Sequence, residues 1–135
     1  MEIKFVAGFS AIAPDGSASA AFYRDTLGLP LEGDEYVSTE KVAGVKHLGV
    51  WRLEDAAQSC FGATTWPADI PVPQATIEFE VDDVAASAAE LETRGLRLLH
   101  GARTEPWGQT VARVLSPEGL IVGLSHTPWL RGETE

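Results

Sequence analysis

Thr76-Ile77-Glu78-Phe79-Glu80-Val81-Asp82-Asp83-Val84 is the stretch from which the fold can be read. Strict alternation puts Ile77, Phe79 and Val81 on one face and Thr76, Glu78 and Glu80 on the other, as a strand with one buried side requires. Asp82 or Asp83 then caps a helix, where a carboxylate gains both a hydrogen bond and the attraction of the helix dipole. Val84, Ala88 and Leu91 recur at helical spacing, and Gly95 ends the helix. Residues 96–99 form a short strand. Residues 109–115 alternate again, Val111, Arg113 and Leu115 opposing Thr110, Ala112 and Val114. Ser116-Pro117-Glu118-Gly119 is a turn by composition, and it delivers a last strand over 120–124. Residues 76–125 therefore read as one β-α-β-β-β unit.

Upstream the same order recurs. Ile3, Phe5, Ala7 and Phe9 alternate along a strand, Pro14-Asp15-Gly16-Ser17 turns the chain, and Ser17 caps a helix carrying Ala18, Ala21, Phe22 and Leu27. Gly28 ends it. Strands follow at 29–31, 36–42 and 45–53, the last two divided by Gly44. Neither half is large enough to hold a core alone, so the two should share one sheet. The predicted class is α+β: two tandem β-α-β-β-β modules forming one domain over 1–135, with module one at 1–65, module two at 75–127 and a tail at 128–135. Between the modules a helical candidate lies around Ala56 to Cys60. Trp66-Pro67-Ala68-Asp69-Ile70-Pro71-Val72-Pro73 reads as part of an extended, semi-rigid linker over 66–74.

With 135 residues, 44% hydrophobic and 22% charged, the chain has the composition of an ordinary globular protein. No apolar run nears the roughly 20 residues of a membrane span. The N-terminus does not make a secretory signal, so a cytoplasmic location is expected and no membrane partner. Cys60 is the single cysteine, in keeping with a reducing compartment. The formal net charge of −10, with ten scattered Lys and Arg, argues against a nucleic-acid partner. Acidity suits a cationic small molecule, although a solvated acidic surface is the simpler reading.

Three motifs resemble those of the vicinal-oxygen-chelate superfamily, which includes glyoxalase I, bleomycin-resistance proteins, fosfomycin-resistance enzymes and extradiol dioxygenases. They are Phe22-Tyr23-Arg24-Asp25-Thr26-Leu27-Gly28-Leu29, Phe79-Glu80-Val81-Asp82-Asp83-Val84, and Glu105-Pro106-Trp107-Gly108-Gln109 followed by Ser116-Pro117-Glu118-Gly119. The resemblance covers nearly the whole chain and implies a cupped mixed sheet, the glyoxalase/bleomycin-resistance fold, commonly completed as a homodimer. One fold serves several chemistries, so function must be argued from the site. Metal-using members place four His, Gln or Glu ligands on strands facing the cup, donors that suit a divalent ion polarising a carbonyl or activating oxygen. Carried over by the motifs, these positions fall on Gly8, Thr76, Gly123 and the strand around His47 to Gly49. Glycine offers no ligand atom, and His47 alone does not make a site. The resemblance therefore implies the fold, while these residues argue against the family's metal chemistry and for a metal-less, bleomycin-resistance-like branch, with no metal site, no cofactor and no catalytic residue assigned.

His47, His100 and His126 are the only histidines. His100 and His126 sit at strand ends without metal-ligand spacing, whereas His47 is on a strand that in the family lines the cup. If the face of Glu78 looks into the cup, this carboxylate is half-buried and can act as a base or hold a cation; otherwise it faces solvent. Glu80 is expected to face solvent on the outer side of a sheet edge. Cys60, with no histidine partner in view, reads as a small buried thiol. No Ser-His-Asp order, phosphate loop or dinucleotide fingerprint appears.

The tryptophans are the more informative set. Trp107, in a loop beside Pro106 and Gly108, is either a lid over the cup or a dimer contact; Trp51 and Trp66 are either pocket walls or core. Rigid aromatic faces suit flat ligands by stacking and by cation–π attraction. The expected function is metal-independent binding or sequestration of a small aromatic, optionally cationic, compound between two subunits, as in antibiotic resistance. Phe9, Trp51, Phe61, Trp66 and Trp107 supply its apolar surfaces, Glu78 and Arg113 are polar anchors, and His47 is a further contact. Two alternatives stand: a metal-dependent lyase or dioxygenase using a rearranged set such as His47 and Glu78, and a fold-only protein-interaction module whose cup is empty.

Overall fold

The computed structural model describes residues 1–132; the last three residues of the predicted tail, 133–135, lie outside the described residues. The chain runs β1 (Phe5–Ala13), α1 (Gly16–Ala20) continuing as a π-helical turn (Ala21–Thr26), β2 (Val37–Thr39), β3 (Leu48–Arg52) and α2 (Leu53–Phe61). It then forms β4 (Ala75–Glu80), α3 (Val84–Thr93), β5 (Leu98–Thr104), β6 (Thr110–Leu115), β7 (Ile121–His126) and a 3₁₀ turn (Pro128–Arg131). The strands make one seven-stranded mixed sheet in the order β2-β3-β1-β4-β7-β6-β5. This α+β architecture, one mixed sheet shared by two modules, is the one the motif resemblance implies. Its modules meet where β1 pairs antiparallel with β4, Phe9 opposite Ile77. Each module repeats one internal relation, β1 parallel to β3 and β4 parallel to β7, a return that needs a crossover such as α1 or α3.

Strand alternation divides the core between the two faces of the sheet. Under α1, Ala13, Val37 and Val50 pack with Ala20 and Leu31; under α3, Val81, Ala112 and Leu124 pack with Val84 and Ala88. The opposite face carries Ile12 and Ile121, and α2 covers one end of it with Ala56, Ala57 and Cys60. The rest of that face stays open and forms the cup. Among the described residues no helix is long and apolar enough to cross a membrane.

Several expectations are corrected by the packing. The strand expected at 29–31 is reduced to a bridge between Glu32 and Ser38, because Pro30 has no N–H to donate and the chain turns sharply at Gly33. Gly33 has φ +120°, and a Cβ there would lie 2.2 Å from the Tyr36 carbonyl oxygen. Asp15, not Ser17, caps α1, its carboxylate accepting from Ala18 N–H at 3.0 Å; Asp83 caps α3 through Ala86 N–H at 2.9 Å. The proline-rich segment is part of the core and not a spacer. Trp66 is buried against α2, packs edge-on to Phe61 at 4.9 Å, and donates its indole N–H to the carbonyls of Ile70 and Pro71.

Glu80 is the largest departure, since it is completely buried. Its carboxylate accepts from Thr127 N–H at 2.6 Å, Arg131 Nε at 2.8 Å and Ser125 Oγ at 3.2 Å. Arg131 also donates to Asp82 Oδ1 and the Val81 carbonyl. A carboxylate can be buried at this cost only when it is paired and hydrogen-bonded. The pairing pins the 3₁₀ turn over the end of the cup opposite α2.

Candidate functional site

The cup has a volume of about 870 Å³. Its floor is the open face of β3, β1, β4 and β6, and its rim is made by the 105–109 hairpin, the start of α2 and the 3₁₀ turn. Of the residues singled out from sequence, Phe9, His47, Trp51, Glu78, Trp107 and Arg113 line it. Phe61 and Trp66 do not; both belong to the core beneath α2. Gly8 and Thr76 are on the floor, and the side chain of Glu78 looks into the cup with 19% of it exposed.

Glycine is needed on this floor because side chains are laid flat across it. A Cβ on Gly49 would come within 2.3 Å of the Tyr36 hydroxyl, and one on Gly123 within 3.0 Å of Glu78 Cγ. Tyr36 thus lies over β3 and Glu78 over β7, each filling space that a larger floor residue would take. The Tyr36 hydroxyl meets His47 Nε2 at 2.5 Å and Ser10 Oγ at 3.2 Å, and its ring stacks on the His47 ring. Burial first, then the charges of Glu78 and Glu40, push the phenol up to about 12 against the opposing Ser10 hydrogen bond, so Tyr36 stays a neutral phenol. His47 Nδ1 faces Glu40 at 3.5 Å. In the tautomer that presents Nδ1–H to that carboxylate, Nε2 accepts a hydrogen bond from the phenol O–H.

The far wall is a charged cluster around Arg113, whose side chain is 1% exposed. Its Nη1 donates to Glu105 Oε1 at 2.8 Å, Ser59 Oγ at 3.0 Å and His100 Nε2 at 2.9 Å, and its guanidinium lies 5.0 Å over the Trp51 ring. Arg103 joins through Glu105 Oε1 at 3.3 Å. Burial raises the Glu105 carboxyl, but the hydrogen bonds from Arg113 and Ser59 and the two guanidinium charges outweigh it and hold the group below its ordinary range. His100 is pushed down to about 4 by burial and by the neighbouring Arg113 and Arg103, against a raising hydrogen bond to Gly101. It is neutral at pH 7, with Nε2 accepting from Arg113 and Nδ1–H donating to the Gly101 carbonyl. Burial likewise raises the Cys60 thiol, which leaves it protonated and inert.

Gln109 links floor to rim. Its Oε1 accepts the Trp107 indole N–H at 3.0 Å, and its Nε2 donates to Glu78 Oε1 and Thr127 Oγ1, each at 3.0 Å. The rim tryptophan is thereby held in register with the floor carboxylate, while 49% of Trp107 remains exposed.

Ser10, Tyr36 and Arg103 are not singled out by the sequence, and Glu105 and Gln109 enter it only as the ends of a loop motif, with no role at the site. The signal for Gln109 was present, because it is in phase with Val111 and Arg113 along β6. Tyr36 carried none, since its place over Gly49 follows from the turn at Gly33.

The family model described as Glyoxalase/Bleomycin resistance protein/Dioxygenase superfamily matches residues 6–124. The chain belongs to this superfamily. None of the curated proteins compared matches it. Similar solved structures include a superfamily member from Vibrio splendidus 12B01, with TM-score 0.61 and 14% identity, covering 93% of this chain and 100% of that one. Streptomyces coelicolor methylmalonyl-CoA epimerase in complex with 2-nitronate-propionyl-CoA gives TM-score 0.58 and 20% identity, covering 93% and 99%. The Mycobacterium tuberculosis methylmalonyl-CoA epimerase gives 0.57 and 16%, covering 96% and 93%. At these identities the likeness is one of fold.

The residues present do not fit the divalent metal that other members use. Gly8 and Gly123 have no donor, and Glu78 is laid across the Gly123 position. Among the described residues no group of three or more His, Cys, Asp and Glu side chains is arranged to hold an ion.

Proposed function

We propose that the cup binds a small, flat aromatic compound without a metal, as a bleomycin-resistance-like member of the superfamily. The observation that carries this reading is the composition of the cup. About 870 Å³ of concave space, the size of a drug-sized ligand site, is walled by Phe9, Tyr36, Trp51, Trp107 and Trp129 over a floor with glycines at its ligand positions. Trp107 and Trp129 are 49% and 42% exposed, and covering such rings stabilises a complex by about 25 cal/mol per Å² of apolar surface. The Tyr36 phenol in the wall is held protonated, and the Cys60 thiol, raised by burial, lies in the core under α2 and away from the cup. Of the two residues named for a metal enzyme, His47 is engaged by Tyr36 and Glu40, and Glu78 has one carboxylate oxygen held by Gln109. Binding without turnover is what sequestration needs.

Titrating the intrinsic tryptophan fluorescence of chelator-treated protein with bleomycin and with planar aromatic antibiotics tests this. Saturable quenching with a dissociation constant around 1 μM, about 8 kcal/mol, is expected for at least one of them. Trp107→Ala should weaken that complex about tenfold, as loss of a rim contact does. Absence of quenching by every compound would overturn the reading. The homodimer implied by the fold is part of this proposal, and sedimentation equilibrium tests it: a 14.5 kDa species at all concentrations would remove it.

A further inference from the structure

Among the described residues, two buried side-chain polar atoms have no hydrogen-bond partner, Thr76 Oγ1 and Arg113 Nε. Both residues line the cup. Buried polar groups in folded proteins are nearly always paired, so two exceptions in one cavity point to what the cavity receives. Arg113 spends Nη1 on Glu105, Ser59 and His100, so the edge formed by Nε–H and Nη2–H is the part of the guanidinium that the cluster leaves unused. Guanidinium uses this fork to grip a planar acceptor. Opposite it is Glu78 Oε2, 4.0 Å from Nη2, too far for a hydrogen bond and near enough for one small group to touch both. Glu78 Oε1 is already held by Gln109, so Oε2 is the free acceptor.

A donor edge and an acceptor thus stand side by side beneath aromatic walls. We propose that the cup reads a flat, neutral heterocycle by an adjacent carbonyl and N–H, a lactam or cyclic imide edge, the carbonyl on the Arg113 fork and the N–H on Glu78 Oε2. Charge balance at this edge selects the neutral form: the guanidiniums of Arg103 and Arg113 are matched by the carboxylates of Glu78 and Glu105, Glu35 and Asp55 in the lining are paired with Arg52, and a charged ligand would unbalance the cluster around the buried Arg113. A cation would meet the Arg113 edge, and a carboxylate would meet Glu78. The Thr76 hydroxyl, on the same strand face as Glu78, offers its proton to a second carbonyl such as that of an imide.

This inference rests on the aromatic-binding reading, and the two fail differently. Calorimetric titration would compare 2-quinolone, N-methyl-2-quinolone, quinoline, N-methylquinolinium and 2-naphthoate. The expected result is 2-quinolone binding at least about tenfold tighter than its N-methyl form and than quinoline, the worth of a hydrogen bond to a charged group. Glu78→Ala should reduce that preference to less than about twofold. Because N-methylation alters the ligand and not the protein, the comparison stands whether or not the variant folds. Equal binding of the two quinolones, or tightest binding of the quinolinium or the naphthoate, overturns the donor–acceptor edge and leaves aromatic binding intact. Binding of none of the five overturns both.

Discussion

Glu80 has no exposed surface, and its carboxylate is held by a backbone N–H, a hydroxyl and a guanidinium. Glu80→Ala removes the acceptor and leaves Thr127 N–H and Arg131 facing a cavity, so it should cost about 3–5 kcal/mol, measured as a lowered urea midpoint with an unchanged slope. Alternation along β4 told which residues share a face with Glu80 but not what covers that face; the covering residue, Arg131, is 51 residues further along the chain. The opposite holds for Cys60, whose small size and lack of a partner were enough to place it. His100 gives a pH dependence whose sign follows from its depressed value. The unfolded chain takes up a proton near the ordinary 6.5 and the folded chain only near 4, so the contribution of His100 is full above pH 6.5 and is lost as pH falls from there toward 4. Glu105, also held low, adds loss in the same direction below its ordinary 4.5. Urea midpoints taken between pH 7 and pH 4.5 should fall with pH, and His100→Asn should flatten that slope. An unchanged slope in the variant would show that the imidazole is not the titrating group.

At the scale of elements, the β3 and β7 positions under the cup do their work by being small. In Gly49→Ala the new Cβ would sit 2.3 Å from the Tyr36 hydroxyl, so the ring must leave its place over β3 and give up Ser10 and His47. Overpacking of this kind costs about 1–3 kcal/mol. Loss of the Tyr36 wall should also weaken aromatic ligands about tenfold. Gly28→Ala, by contrast, meets nothing within 4 Å, so its only cost is the positive φ, and ligand titration should be unaffected. Periodicity placed most elements well, because a strand with one buried side and a helix with one apolar stripe must show their periods. It was weak where local chemistry competes. Asp15 and Ser17 are both good caps, and only the backbone path decides between them. Pro30 and Gly33 broke a strand that the apolar residues Leu29 and Leu31 suggested. Three prolines read as a stiff linker, because nothing local reveals that Trp66 folds back onto α2.

For the whole molecule, the sharing of one sheet by two modules was legible because each module is too small to bury its own face. The cup was legible only in part. Glu78 and Arg113 line the cup in phase along their strands, whereas Tyr36 enters it through the turn at Gly33 and Arg103 through its pairing with Glu105, which no local pattern announces. What emerges is a site whose floor has traded ligand atoms for space, with polar groups that complete one another and leave the Arg113 and Glu78 edges free. Such a site is proposed to bind a flat aromatic compound without a metal. The decisive measurement is isothermal titration of chelator-treated protein with 2-quinolone, repeated after loading with Zn²⁺ or Mn²⁺. Saturable binding to the stripped protein is expected, with a dissociation constant that changes by less than about twofold on metal loading; binding that appears only in the loaded protein would show that the cup needs a metal.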